Sequence, residues 1–183
     1  MTTVLRYDIG EIEPYINWIY FYHAWGLSGK PESEKARLRA DAETVLAEFK
    51  SRYHTHAVFG LFSANSDGDD IIIDGVRVPF LRQQTRKTDG SPNLCMADFI
   101  RPLSLGKADR IGVFATTVDA GMEKDYCDDD YLKIMSKTLA DRLAEATAEK
   151  MHEEVRRHYW GYAADEKLSI PEMLNAGYCG IRP

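Results

Sequence analysis

Hydrophobic positions along this chain change their period several times. Over residues 14–27 aromatic side chains are dense, and Ser28-Gly29-Lys30-Pro31 punctuates the run. Over 32–53, Leu38, Ala42, Val45, Leu46, Phe49 and Tyr53 recur at spacings of three and four. That period predicts an amphipathic helix, and Pro31 suits its first turn. The middle of the chain is β-like. "HAVFGLF" is short and apolar and leads to Asp67-Gly68, with His54 and His56 expected in a loop before the strand. "DIIIDGVRVPFL" holds two β-rich runs about Asp74-Gly75, a hairpin signal. "RIGVFATTV", 110–118, reads as a buried strand, whereas 82–105 is mixed and polar and yields no assignment.

Helical character returns over 129–159, a stretch without Gly or Pro that is rich in Ala, Leu, Glu, Lys and Arg. Leu132, Met135, Leu139, Leu143, Ala146 and Met151 trace its apolar side, and Gly161 breaks it. Ser169-Ile170-Pro171-Glu172 has the capping-box pattern of a further short helix. That helix is expected to stop at 175–177, with Gly177 as the stop residue. Helix, antiparallel-looking strands, then helix predicts a single α+β domain over 1–183.

Composition narrows the function. The hydrophobic fraction of 44% supports a core, and a net charge of −6 without a basic run argues against a general nucleic-acid binder. Three widely spaced cysteines, Cys95, Cys127 and Cys179, fit a reducing compartment and idle thiols. "INWIYFYHAW" is too short to span a bilayer, and no signal peptide is visible, so the cytoplasm is the expected location.

Candidate chemistry is sparse. Glu145, Glu149 and His152 share one helix face, and Glu-x-x-His is a spacing used in di-iron bundles. No second copy supplies the remaining ligands, so a charged face paired with Lys150 and Arg156 is the expectation. Asp125, Asp128, Asp129 and Asp130 precede the long helix, where its dipole favours negative charge. No Gly-rich phosphate loop or nucleophile elbow occurs. No side chain is set up as a nucleophile or general base, and the chain is expected to position chemistry performed elsewhere.

Six ordered blocks from Tyr15 to Pro183 carry a resemblance: "YINWIYFYHAWGLSGK", "GLFSANSDGDDI", "LRQQTRK", "CMADFIRP", "DDDYLKIMSKTLADRLAEATAEKMHEEVRRHYWGYA" and "GYCGIRP". Together they resemble the activation domain of cobalamin-dependent methionine synthase. The resemblance implies a twisted antiparallel sheet flanked by helices, one of them the long helix of the C-terminal half. It implies binding of S-adenosylmethionine (AdoMet), which supplies a methyl group when oxidised cobalamin is reactivated with an electron from flavodoxin or a similar donor. The cobalamin would be carried by a partner, since no cobalamin module is present in the chain.

Three site residues follow from the resemblance alone. The arginine of Gly-Ile-Arg-Pro falls on Arg182, whose guanidinium suits the AdoMet carboxylate. The glutamate of Leu-Ala-Glu-Ala falls on Glu145. The aspartate of Tyr-Ile-Asp-Trp, which meets the AdoMet ammonium, falls on Asn17. Asn accepts a hydrogen bond without supplying a countercharge, a difference of about tenfold in affinity. The family loop also continues past Arg-Pro as Ala-Pro-Gly-Tyr-Pro, whereas this sequence stops at Pro183. The expectation is a free-standing reactivation module docking on a cobalamin-bearing subunit. Its alternative is a scaffold on a corrinoid protein that has lost AdoMet binding.

Overall fold

The computed structural model describes residues 2–180. The elements run β1 (Thr2–Asp8), α1 (Ile9–Ile12), α2 (Trp18–Ala24), α3 (Glu32–Lys50), β2 (His54–Asp67), β3 (Asp70–Ile73), β4 (Val76–Pro79), β5 (Asp109–Val118), α4 (Asp130–Glu154) and α5 (Ile170–Leu174). The strands form one five-stranded antiparallel sheet in the order β1-β2-β3-β4, with β5 also paired to β2. This is the α+β architecture expected from the sequence. Residues fall into two compact units, one built mainly from Phe59–Phe114 and the other from Val4–Val58 and Ala115–Tyr178.

In the first unit, the hairpin about Asp74-Gly75 forms as expected. Ile73 faces Val76 across it, and both loop residues have positive φ, 46° and 84°. That is the two-residue turn whose twist matches paired strands. Ala64, Ile71, Cys95 and Ala97 form the buried cluster, packed by Ile73, Phe80, Met96, Ile100 and Ile111.

The unassigned stretch 82–105 is organised by polar contacts rather than by period. Arg82 reaches Asp69 (2.6 Å) and Asp98 (2.7 Å) together. Cys95 N donates to Asp98 Oδ2 (2.9 Å), opening a 3-10 turn over Met96–Phe99. The hydrogen bonds from Arg82, then the one from Cys95 N, lower the Asp98 carboxyl to about 2. A depressed carboxyl contributes stability above its ordinary value, and the contribution is lost as pH falls through the folded value. An NMR titration of Asp98 is therefore expected to show a midpoint near 2. Arg82→Met should move that midpoint up towards the ordinary 3.8, and an unchanged midpoint would refute the assignment.

β5 corrects one expectation. It forms where the sequence places it, but most of its residues are exposed, Val113 by 45% and Phe114 by 37%. A continuous apolar run marks a strand without saying whether anything covers it.

In the second unit, α3 begins after Pro31 with Glu32 and Glu34 in its first turn and Lys50 in its last, as its dipole favours. Leu38, Ala42, Val45, Leu46 and Phe49 are its buried face. Tyr53 lies beyond the helix, correcting the expected end. It kept the helical period because its ring returns edge-on to Phe49, 5.5 Å between centroids.

α4 forms as expected. Asp129 Oδ1 accepts from Leu132 N (2.9 Å), which makes Asp129 the cap. Met135, Leu139, Leu143, Ala146 and Met151 are buried along it, and α1, α2 and α3 pack against it. Its last turn, Val155–Tyr159, widens to a π-helix before Gly161. α5 starts at the expected capping box, with Ser169 N donating to Glu172 Oε2 (2.9 Å). Its end differs from expectation, because the left-handed position is Ala176 (φ 57°) rather than Gly177. Gly177 serves another need. Its N–H donates to Glu172 O (2.9 Å), and a Cβ there would lie 3.0 Å from that carbonyl oxygen.

His54 and His56 lie in β2 rather than in a loop. Asp119 holds the start of that strand. It accepts from His54 N (2.8 Å) on one oxygen and bonds His56 Nε2 (2.7 Å) on the other. Burial pushes the Asp119 carboxyl up, and these hydrogen bonds outweigh it, leaving the group below its usual value. No helix among the described residues is long and apolar enough to cross a membrane.

Candidate ligand-binding site

Two of the three residues singled out by sequence lie in the second unit, on helices that pack together. Asn17 caps α2: its Oδ1 accepts from Ile19 N (3.2 Å). Asn and Asp cap helices about equally well. The asparagine therefore keeps the helix start and gives up only the charge an aspartate would bring.

Glu145 lies on the solvent side of α4. Its carboxylate is 58% exposed and accepts from Arg142 Nη1 (2.8 Å). An exposed ion pair of this kind contributes about 0–1 kcal/mol, so it does not tie Glu145 down against a cationic ligand. Arg182 lies outside the described residues.

Two members of the metal reading, Glu145 and His152, meet different surroundings. Glu145 pairs with Arg142, while His152 is buried with Nδ1 taken by Arg156 (2.8 Å). Among the described residues no group of three His, Cys, Asp or Glu side chains is placed to hold a metal ion. The charged-face expectation therefore needs amending: the partner of Glu145 is Arg142, and Lys150 lies near Glu153 (3.8 Å) and Glu154 (3.4 Å).

The C-terminal end of α4 carries a polar network that sequence reasoning missed. Arg156 is 0% exposed. Its Nε and Nη2 donate to the two oxygens of Glu166 (2.9 and 2.5 Å), and Nη1 donates to His152 Nδ1. Arginine has only donors, so His152 Nδ1 accepts and the ring proton sits on Nε2. The guanidinium lies over the Tyr178 ring, with Cζ 4.3 Å from the ring centroid. His152 meets the same ring edge-on at 4.9 Å. The signal in the sequence was a bulky tyrosine within "GYCGIRP", beside a helix whose last turn is rich in arginine.

Two tyrosines fasten the same end of α4. Tyr7 donates to Glu154 (2.8 Å) and Tyr15 to Glu153 (2.6 Å). Burial first, then these carboxylates, pushes both phenols above the usual range. In the first unit, an open groove of about 650 Å³ is lined by Leu61, Phe62, Ser63, Ala108, Asp109 and Arg110, none of them among the residues expected at the site.

Comparison with known proteins gives these positions a context. The family model for the vitamin B12 dependent methionine synthase activation domain matches residues 8–183. Among solved structures, the chain is similar to the MetH reactivation domain bound to AdoHcy, with 42% sequence identity and a TM-score of 0.87. The match covers 100% of this chain and 63% of that one, so the chain spans less than two thirds of its structural neighbour. The six ordered sequence blocks, the five-stranded sheet with its long helix, and the match over 8–183 agree: this chain belongs to the vitamin B12 dependent methionine synthase activation domain family.

Proposed function

We propose that the chain binds AdoMet and serves as a reactivation module for cobalamin-dependent methionine synthase, on cobalamin carried by a partner. The observation that carries this reading is the 42% identity, over the whole chain, with a reactivation domain bound to AdoHcy. AdoHcy is what remains of AdoMet once its methyl group has been given away. A scaffold that has lost the ligand is the weaker reading, because that neighbour holds its ligand.

In this reading the cobalamin supplies the reactive nucleophile, and the chain itself is non-catalytic. Its residues bind and orient the methyl donor. Arg182 takes the carboxylate as a bidentate pair. Glu145 supplies the negative charge that Asn17 lacks, and Asn17 offers the ammonium a neutral acceptor at the start of α2. An electron donor of the flavodoxin type and a cytoplasmic setting complete the proposal.

Calorimetric titration with AdoMet tests it. The parent chain is expected to give heat, Arg182→Ala to bind at least about tenfold more weakly, and Asn17→Asp about tenfold more tightly. The aspartate keeps the cap and restores the charge, so the gain should come without a change in stability. No heat from the parent chain at millimolar AdoMet would sink the reading.

A further inference from the structure

Among the described residues β5 pairs with β2 alone, so its other edge is open. In the part of β5 that belongs to the first unit, Gly112, Val113 and Phe114 are exposed in succession. Neighbouring residues of a strand point to opposite faces, so neither face is fully covered there. Natural sheets blunt such an edge with lysine, proline or a charge. Ile111-Gly112-Val113-Phe114 carries none of these. At the start of the same strand, beside Asp109 and Arg110, lies the groove of about 650 Å³, with Leu61 and Phe62 as its apolar lining.

An open edge presents main-chain N–H and C=O groups in a row, and an extended segment is what pairs with such a row. The reactivation-domain neighbour matches the whole of this chain, yet more than a third of that neighbour has no counterpart here. Extra chain in a domain of the same fold needs apolar surface to pack on, and β5 offers apolar surface together with unpaired main chain. The geometry points to β5 as a docking edge for an uncharged, apolar-rich extended segment equivalent to one in the unmatched part of that neighbour. The segment adds as a strand along the open edge and seats a side chain in the groove by Leu61 and Phe62. This docking does not involve the AdoMet residues, and it stands or falls separately from them.

Overlapping peptides of about 12 residues, long enough to span β5, tiled through the unmatched part of the neighbour, test this against the intact chain. One peptide, or two that overlap, is expected to bind, and amide hydrogen exchange from Arg110 to Phe114 should then slow at least about tenfold. Val113→Lys puts a charge on the edge and should weaken that binding at least about tenfold. Phe114→Lys, on the opposite face, should act in the same direction, so the outcome does not hang on the folding of one variant. Leu81→Lys is the control for general stickiness. Leu81 is 83% exposed in the same unit but lies off β5, so binding should stay within about twofold. The absence of any bound peptide at about millimolar concentration, or binding that survives both β5 lysines, overturns the inference. So does a parent chain that light scattering shows to be a dimer and that Val113→Lys makes a monomer, because a second copy then holds the edge.

Discussion

Arg156→Ala is expected to lower the free energy of unfolding by about 3–5 kcal/mol in urea denaturation at neutral pH. The cause is what the substitution leaves behind. Glu166 keeps a carboxylate that is only 8% exposed in the folded chain, now without its cation. His152 Nδ1 loses its donor, and the Tyr178 ring loses the surface it sits on. A buried charge stripped of its partner costs far more than the pair contributes over apolar groups of similar shape. A double variant, Arg156→Met with Glu166→Leu, should therefore recover most of the loss, because it removes both charges and keeps much of the volume. A loss below about 1 kcal/mol for Arg156→Ala would show that water already reaches the pair.

Phe21→Ala carries the other large expected effect, also about 3–5 kcal/mol. Phe21 is fully buried in α2. Its ring meets Trp18 edge-on at 5.1 Å and Tyr22 at 6.0 Å, and lies tilted against Trp25 at 6.3 Å. Deleting it removes buried apolar surface, opens a cavity, and breaks edge contacts that are worth about 0.5–1.5 kcal/mol each beyond area. Its neighbour Tyr20 is 58% exposed, so Tyr20→Ala should stay within about 0.5 kcal/mol. Comparable losses from the two variants would contradict this packing. Because Asn17 caps α2, the AdoMet site proposed above predicts that loosening the helix through Phe21 also weakens AdoMet binding, whereas Tyr20→Ala should not.

The aromatic run shows what a sequence conveys and what it withholds. "INWIYFYHAW" is conspicuous, yet nothing in its order says that Phe21 is the buried member while Ile19 and Tyr20 face water. The helix is too short for its period to decide that. The site divides in a similar way. As residues of an AdoMet site, Asn17, Glu145 and Arg182 came to notice through resemblance alone; the chemistry of Glu145 by itself suggested a metal spacing instead. Asn17 is a helix cap and Glu145 an exposed member of an i,i+3 pair, and many residues in any chain look the same.

By itself, the sequence determined the features that act within one turn of helix or one hairpin. The Asp129 cap and the unbroken run behind it made α4, the Ser169 capping box started α5, and Asp74-Gly75 turned β3 into β4. In each case donor and acceptor, or the two paired positions, lie within a few residues, so local order suffices. Only the tertiary structure decided the rest. It left β5 exposed, drew His54 and His56 to Asp119 and so into a strand, and closed Glu166, His152 and Tyr178 around Arg156. Cover and most of this pairing depend on which separate segments arrive at the same place; of these contacts, His152 with Arg156 alone lies within one turn of helix.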